Sequence, residues 1–206
     1  MKIAVFSVIG DLTGSAAKAF RSIVDSSNQA ASRQPSAASR IVSSGRVRPV
    51  AVALGSNLGD RRAALDRAAA RLAEFLTDLR VSPVFETAPV GVSPQPDFLN
   101  AAAVGLSTAA PRQVLDRLLA IEAELGRERP FPGAPRRIDL DLILCGDEVI
   151  EAPGLCVPHP RFRGRRFVLE PLAAIGPDLR DPVTGRTVAD LLAALDATQR
   201  SARPRS

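Results

Sequence analysis

The 206-residue chain has no tryptophan and no tyrosine, two lysines, two cysteines and one histidine. Each shortage excludes a chemistry. The lysines are Lys2 and Lys18, so the rest of the chain has none for a phosphate loop or a Schiff base. A single histidine, His159, rules out a two-histidine zinc site. Cys145 and Cys156 form no C-x-x-C pair, which excludes a four-cysteine zinc site and a disulfide framework. The cysteine usage predicts a reduced, cytoplasmic protein. Any aromatic role falls to the eight phenylalanines. No apolar run reaches the roughly 18 residues that a membrane span requires. Residues 3–9 faintly resemble the apolar core of a signal peptide. The run is short, and Asp11 closes it without a clear cleavage site, so no signal peptide is expected.

What is present is charge, unevenly placed. The net charge is +5 and the pI about 10.4, values that raise nucleic acid as a partner. Residues 1–48 carry seven basic and two acidic groups, and residues 197–206 carry three arginines and no acid. The stretch between them holds 17 basic and 20 acidic groups. Around 25–46 the chain is Ser, Ala and Arg with almost no large apolar residue, too little to offset chain entropy. The expectation is a disordered basic extension over 1–48, with one weak helix at 13–24, a folded domain over 49–196 and a flexible basic tail over 197–206. A transit peptide or a nucleic-acid arm is the alternative for the extension.

Within the domain, Val50–Leu54 is a continuous apolar run, as in a buried strand. It ends in the polar turn Gly55–Asp60. Residues 60–76 then show helical spacing through Leu65, Ala68, Leu72 and Phe75. Arg80–Phe85 reads as a strand, with Pro83 placing it at an edge. Phe98–Leu106 is strand-like. Pro111 opens a second helix with Val114, Leu118, Ile121 and Leu125 as its apolar stripe and Gly126 as its stop. Ile138–Cys145 is a strand with Ile138, Leu140, Leu142 and Leu144 on one face, and Gly146-Asp147 reads as a hairpin turn into Glu148–Ile150. Short helices are expected at 171–175 and 187–195. The order β-α-β-β-α-β from 50 to 145 implies an α+β, ferredoxin-like fold: an antiparallel sheet with the two helices on one face, plus C-terminal additions.

Asp139 and Asp141 alternate with the apolar residues of their strand, so both carboxylates leave the face opposite the core, with Cα atoms roughly 6.6 Å apart. Two such acids are either solvated surface charges or ligands of Mg²⁺ shared with phosphates. The arginines at 127, 129, 136 and 137 just before them favour a metal–polyphosphate site, because arginine forks suit phosphate. Phe98 and Asn100 lie two apart on one strand, where a ring can stack on a flat heterocycle and an amide can bond in its plane. Alone, they would be a core Phe and a turn Asn. Thr87 supplies another polar contact, and Phe167 lies ready to close the other side of a sandwich. His159, set between two prolines, is either structural or a phosphate contact.

These segments together resemble the 6-hydroxymethyl-7,8-dihydropterin pyrophosphokinase family of folate biosynthesis. The resemblance runs through ALGSNLGD (53–60), ETAPVG (86–91), QPDFLNAA (95–102), IEAELGRER (121–129), PRRIDLDLIL (135–144), VPHPR (157–161) and RRFVLEPLAAI (165–175). It implies transfer of the pyrophosphoryl group of ATP to the pterin hydroxymethyl oxygen with release of AMP. It implies that Asp139 and Asp141 hold two Mg²⁺ ions and that Arg127 and Arg136 act on the ATP phosphates. It places Glu122, Arg129, His159 and Arg165 around the nucleotide. It implies that Phe98 and Phe167 sandwich the pterin, with Thr87, Val90 and Asn100 beside it. The partners it implies are small substrates only, ATP and a hydroxymethyl dihydropterin, with no nucleic acid, no membrane and a monomeric chain. The loops 86–97 and 127–137 are expected to close over them. The family's arginine-rich loop often has an aromatic near 131–134, where this chain has Phe131-Pro132-Gly133-Ala134. Two other readings share some of these features: a nucleotidyltransferase using Gly55-Ser56 with Asp139 and Asp141, which would release pyrophosphate, and an RNA-binding module, which the acids at 139 and 141 disfavour.

Overall fold

The computed structural model describes residues 45–89, 95–127 and 134–201. The expectations for residues 1–44, Val90, Arg129, Phe131 and the last five residues lie outside that range. The described chain is α+β. Its main sheet contains β1 (Arg48–Ser56), β2 (Thr77–Val81), β3 (Phe85–Thr87), β4 (Phe98–Ser107) and β5 (Asp139–Cys145), in the order β2-β4-β1-β5 with β3 also paired to β4. All of these pairings are antiparallel. A separate two-stranded ribbon joins β6 (Ile150–Ala152) to β7 (Leu155–Val157). The helices are α1 (Arg61–Leu72), α2 (Pro111–Glu124), α3 (Arg166–Ile175) and α4 (Val188–Ser201).

β1 is apolar from Val50 to Leu54 because it is an inner strand of the sheet and both of its faces are covered there. Val50, Val52 and Leu54 face α1 and α2, meeting Leu65, Leu72, Val114, Leu118 and Ile121. Ala51 faces the other way, into a second core with Val104, Phe162, Leu169 and Leu172 from β4, the 3₁₀ turn at Phe162–Gly164 and α3. Each fully buried leucine of these layers contributes about 2 kcal/mol. Asp60 caps α1 by accepting the Ala63 N–H at 3.0 Å. Pro111 starts α2, and Gly126 ends it at φ +77°, a left-handed conformation that favours glycine.

Several expectations are corrected. The C-terminal helices are a full second layer on the sheet, not short additions: α3 starts at Arg166, and α4 runs to Ser201, inside the stretch expected to be tail. The strand expected at Arg80–Phe85 is split into β2 and β3, with Pro83 between them, although β2 is indeed an edge. The turn at Gly146-Asp147 does not form a hairpin on β5, because Ile150–Ala152 pairs with β7 across Pro153-Gly154. Leu144 does not share the face of Ile138, Leu140 and Leu142. A bulge shifts the β1–β5 register between Ala51 and Val52, so Leu144 joins the α3 core while Cys145 returns to the α1 side.

Candidate active site

The candidate site forms where β1 ends between the starts of β4 and β5. In the ladder, Gly55 stands opposite Asn100 on one side and Asp139 on the other. One step back, Ala53 stands between Ala102 and Asp141. A Cβ on Gly55 would come within 3.4 Å of Asn100 Oδ1, 3.9 Å of Asp139 Cβ and 3.9 Å of the Phe98 ring. The missing side chain therefore makes a floor from which the amide, the ring and the carboxylate all rise. This role of Gly55, beyond the turn it begins, was not visible in the sequence alone, because it depends on which strands flank β1.

On the β4 side, Asn100 is buried and donates from Nδ2 to Thr87 Oγ1 at 2.7 Å. Its Oδ1 remains to accept a ligand N–H. Phe98 and Phe167 are both half-buried. Phe167 arrives on the same face because α3 packs on β4, and the Arg165 guanidinium lies 5.5 Å from the centre of its ring.

On the β5 side, Asp139 takes ion pairs from Arg127 at 2.7 Å and from Arg136. Arg127 also pairs with Glu122. Glu122 is buried near the end of α2 and accepts the Leu140 N–H at 2.6 Å, so its carboxylate braces β5 and Arg127 together. Asp141 is different. Among the described residues its nearest ionisable partners are Arg165 at 3.7 Å and His159 at 4.0 Å, beyond hydrogen-bond range. Burial and the neighbouring Asp139 push its carboxyl above the ordinary range, against the pull of His159, Arg165 and Arg127. Burial lowers the His159 imidazole below its usual value; Asp141 opposes this, and Arg165 and Arg161 add to it. Burial and then Arg161 likewise lower the Arg165 guanidinium. The His159 ring accepts the Arg161 N–H at 3.3 Å through Nδ1, leaving Nε2 toward Asp141.

Two buried residues, Ser56 and Asn57, tie the flanking loops to this floor, a role the sequence did not reveal. Asn57 donates to Gln95 Oε1 at 2.8 Å and to the Pro96 carbonyl at 3.1 Å, and its Oδ1 accepts the Arg136 N–H at 2.8 Å. Ser56 donates to the Arg137 carbonyl at 2.7 Å. Their only signal in the sequence is a polar pair directly after an apolar strand. By contrast, not every arginine near 161–166 belongs to the site. Arg163 is committed to Asp181 and Arg166 to Glu170 and Asp196, all away from it. The structure thus brings together Thr87, Phe98, Asn100, Arg127, Arg136, Asp139, Asp141, His159, Arg165 and Phe167. It turns Glu122 inward, while Val90 and Arg129 are outside the described residues.

Asp139 and Asp141 form a two-carboxylate oxygen donor set, one member of which has no hydrogen bond to a described residue. That chemistry fits a hard dication that takes its remaining ligands from a phosphate chain. No group of three or more His, Cys, Asp or Glu side chains that would enclose a metal alone occurs among the described residues. The described residues also contain no helix long and apolar enough to cross a membrane.

Comparison with known proteins gives a consistent picture. The family model of 7,8-dihydro-6-hydroxymethylpterin-pyrophosphokinase (HPPK) matches residues 51–177. The chain is 44% identical over 151 residues to a 2-amino-4-hydroxy-6-hydroxymethyldihydropteridine pyrophosphokinase of Pseudomonas aeruginosa, covering 72% of this chain and 92% of that protein. It is 45% identical over 126 residues to the Bacillus subtilis protein of the same name, covering 60% and 75%. Among solved structures, Plasmodium falciparum HPPK-DHPS with pteroate superposes with a TM-score of 0.62 at 14% identity. That match covers 77% of this chain and 44% of the other, a likeness of fold alone.

Proposed function

The chain belongs to the 7,8-dihydro-6-hydroxymethylpterin-pyrophosphokinase family, and on that premise we propose that the face around Gly55 is where its reaction takes place. The enzyme transfers the pyrophosphoryl group of ATP to the hydroxymethyl group of 6-hydroxymethyl-7,8-dihydropterin and releases AMP, a step of folate biosynthesis. The observation that carries the site is the row Asn100–Gly55–Asp139. One residue without a side chain joins a group suited to a flat heterocycle to a group suited to a metal-bound polyphosphate.

In this reading Phe98 and Phe167 stack on the two faces of the pterin. Asn100 Oδ1 accepts a ring N–H while Thr87, already bonded to the amide, sets its orientation. Asp139 and Asp141 are the residues that would hold two Mg²⁺ ions. When bound, these ions neutralise the triphosphate charge and align it for attack. Arg127 and Arg136 exchange their pairs with Asp139 for the ATP phosphates, His159 and Arg165 lie beside the nucleotide, and the buried Glu122 acts through Arg127. The hydroxymethyl oxygen then bonds to the β-phosphorus, in line with the bridging oxygen to the α-phosphate. That bridging bond breaks toward AMP, and the hydroxyl proton is lost. The arginines stabilise the charge developing on the leaving oxygen, and the fixed floor supplies proximity.

The finer topology is part of the proposal. The order β2-β4-β1-β5, with β3 as a short addition to β4, supports a ferredoxin-like arrangement. So is a folded domain over 49–196, with basic stretches of sequence on either side of it. A cytoplasmic setting is supported by two free thiols. A monomer is supported by the spread of the large exposed apolar residues Val47, Leu58, Val81, Leu119, Val149 and Val183 over separate segments. The test is product identification. The full chain incubated with ATP, Mg²⁺ and the hydroxymethyl dihydropterin should yield AMP and the pterin pyrophosphate in equal amounts. Release of pyrophosphate in place of AMP would overturn the reading.

A further inference from the structure

Behind the strand pair that carries Thr87 and Asn100 there is an open cavity of about 400 Å³, whose lining includes Asn57, Leu58, Arg61, Glu86, Pro96 and Asp97. It lies on the α1 side, because Glu86 is opposite Leu99 and Leu99 packs on the α1 core. Two polar links hold the described ends of the chain between β3 and β4 at its rim. Asn57 provides one at Gln95 and Pro96. Arg61, the first residue of α1, provides the other. A single guanidinium nitrogen donates to Glu86 Oε1 at 2.8 Å and to the Asp97 carbonyl at 2.7 Å. Those two acceptors close the β3–β4 connection: Glu86 precedes Thr87, and Asp97 precedes Phe98.

We propose that Arg61 is a positioning residue for the pterin pocket. It staples the two ends of the β3–β4 connection across the cavity, and so holds Thr87, Phe98 and Asn100 in the geometry that receives the ring. This role rests on the assignment of that pocket to the pterin. An ordinary exposed Arg–Glu pair would contribute almost nothing. Arg61 differs in three respects: its side chain is about one third exposed, it also bonds the main chain, and both acceptors are the immediate neighbours of the ring contacts.

The test uses the full chain with Arg61→Ala, Arg61→Lys and Asn100→Ala. It measures pterin affinity, affinity for a non-hydrolysable ATP analogue with Mg²⁺, kcat and thermal midpoint. Arg61→Ala is expected to raise the pterin Kd and KM by about five- to tenfold, the usual loss for a charge-assisted hydrogen bond at a partly exposed site. Nucleotide affinity, kcat at saturating pterin and thermal midpoint should stay unchanged, the pattern of lost ground-state binding. Arg61→Lys should recover most of the loss, because one ammonium nitrogen can make both bonds. The role falls if Arg61→Ala binds pterin like wild type. It also falls if that variant loses pterin affinity, nucleotide affinity and stability together, or if lysine rescues nothing. Asn100→Ala separates the two levels. If it weakens pterin binding while Arg61→Ala does not, only the role of Arg61 fails. If Asn100→Ala leaves pterin binding intact, the pocket assignment itself fails, and the inference with it.

Discussion

Asp141 and Asp181 are both aspartates beside arginines, and the molecule uses them in opposite ways. Asp181 is wholly buried. It accepts two bonds from Arg163, at 2.6 and 2.7 Å, one from the Thr184 hydroxyl at 2.5 Å and one from the Val183 N–H at 3.2 Å. Burial alone would raise its pKa, but these donors outweigh burial and bring it to about 2. Asp141 is one third exposed, has no close donor among the described residues and is pushed upward by burial and by Asp139. A carboxylate whose acceptors are all filled holds two segments together. One left short of partners beside another carboxylate is poised for a ligand. Composition does not separate the two; the count of donors does.

The comparison breaks most decisively at Asp141. Asp141→Asn should lower turnover by about a thousandfold or more, on the scale of losing a transition-state electrostatic contact. The thermal midpoint should hold or rise, since a like-charge repulsion with Asp139 is removed. A variant within tenfold of wild type, or one that melts early, would contradict this. Asp181→Ala should do the reverse. Removing one partner of a buried pair costs about 3 kcal/mol, read as a lower urea midpoint, while kcat of the folded fraction stays near wild type.

Acid titration sharpens the same contrast. The pKa of Asp181 is lower folded than unfolded, so its stabilisation is fully present above the unfolded value near 4. It is lost as pH falls through the folded value of about 2. The contribution at stake is about 2 kcal/mol. Urea midpoints between pH 4 and 2 should fall less steeply in Asp181→Asn than in wild type; parallel slopes would contradict the assignment.

Smaller effects extend the comparison along the open face. Asn100→Ala should weaken pterin binding about tenfold with nucleotide binding unchanged; equal losses for both ligands would remove its role. Gly55→Ala places a methyl 3.4 Å from Asn100 Oδ1, a contact that is tight but not forbidden. Its expected effect is a pterin KM raised by about threefold, on the scale of slight overpacking, and an unchanged KM would show that the floor has room to spare.

Much of this face was legible in the sequence because it rests on strand alternation. Asp139 and Asp141 between Ile138, Leu140 and Leu142, and Phe98 two residues from Asn100, each follow from the period of two. The reading failed at Leu144, where a bulge adds a residue without any local sign of it. It failed at Glu148–Ile150, where a tight turn is followed by a strand that pairs elsewhere. Arg163 and Arg165 look alike in the chain. Only the fold shows that Arg163 meets Asp181, eighteen residues on, while Arg165 reaches toward Asp141. The roles of Gly55 as a floor, and of Asn57 and Arg61 as links, stayed hidden for the same reason: they are defined by strands and loops distant in sequence.

The central claim is that Asp139 and Asp141 share a metal–triphosphate site. Its most direct test is the number of Mn²⁺ ions, as a probe for Mg²⁺, bound per chain in the presence of a non-hydrolysable ATP analogue. Wild type should bind two, and Asp141→Asn should lose at least one while remaining folded. Two ions bound with wild-type affinity in Asp141→Asn would contradict the account.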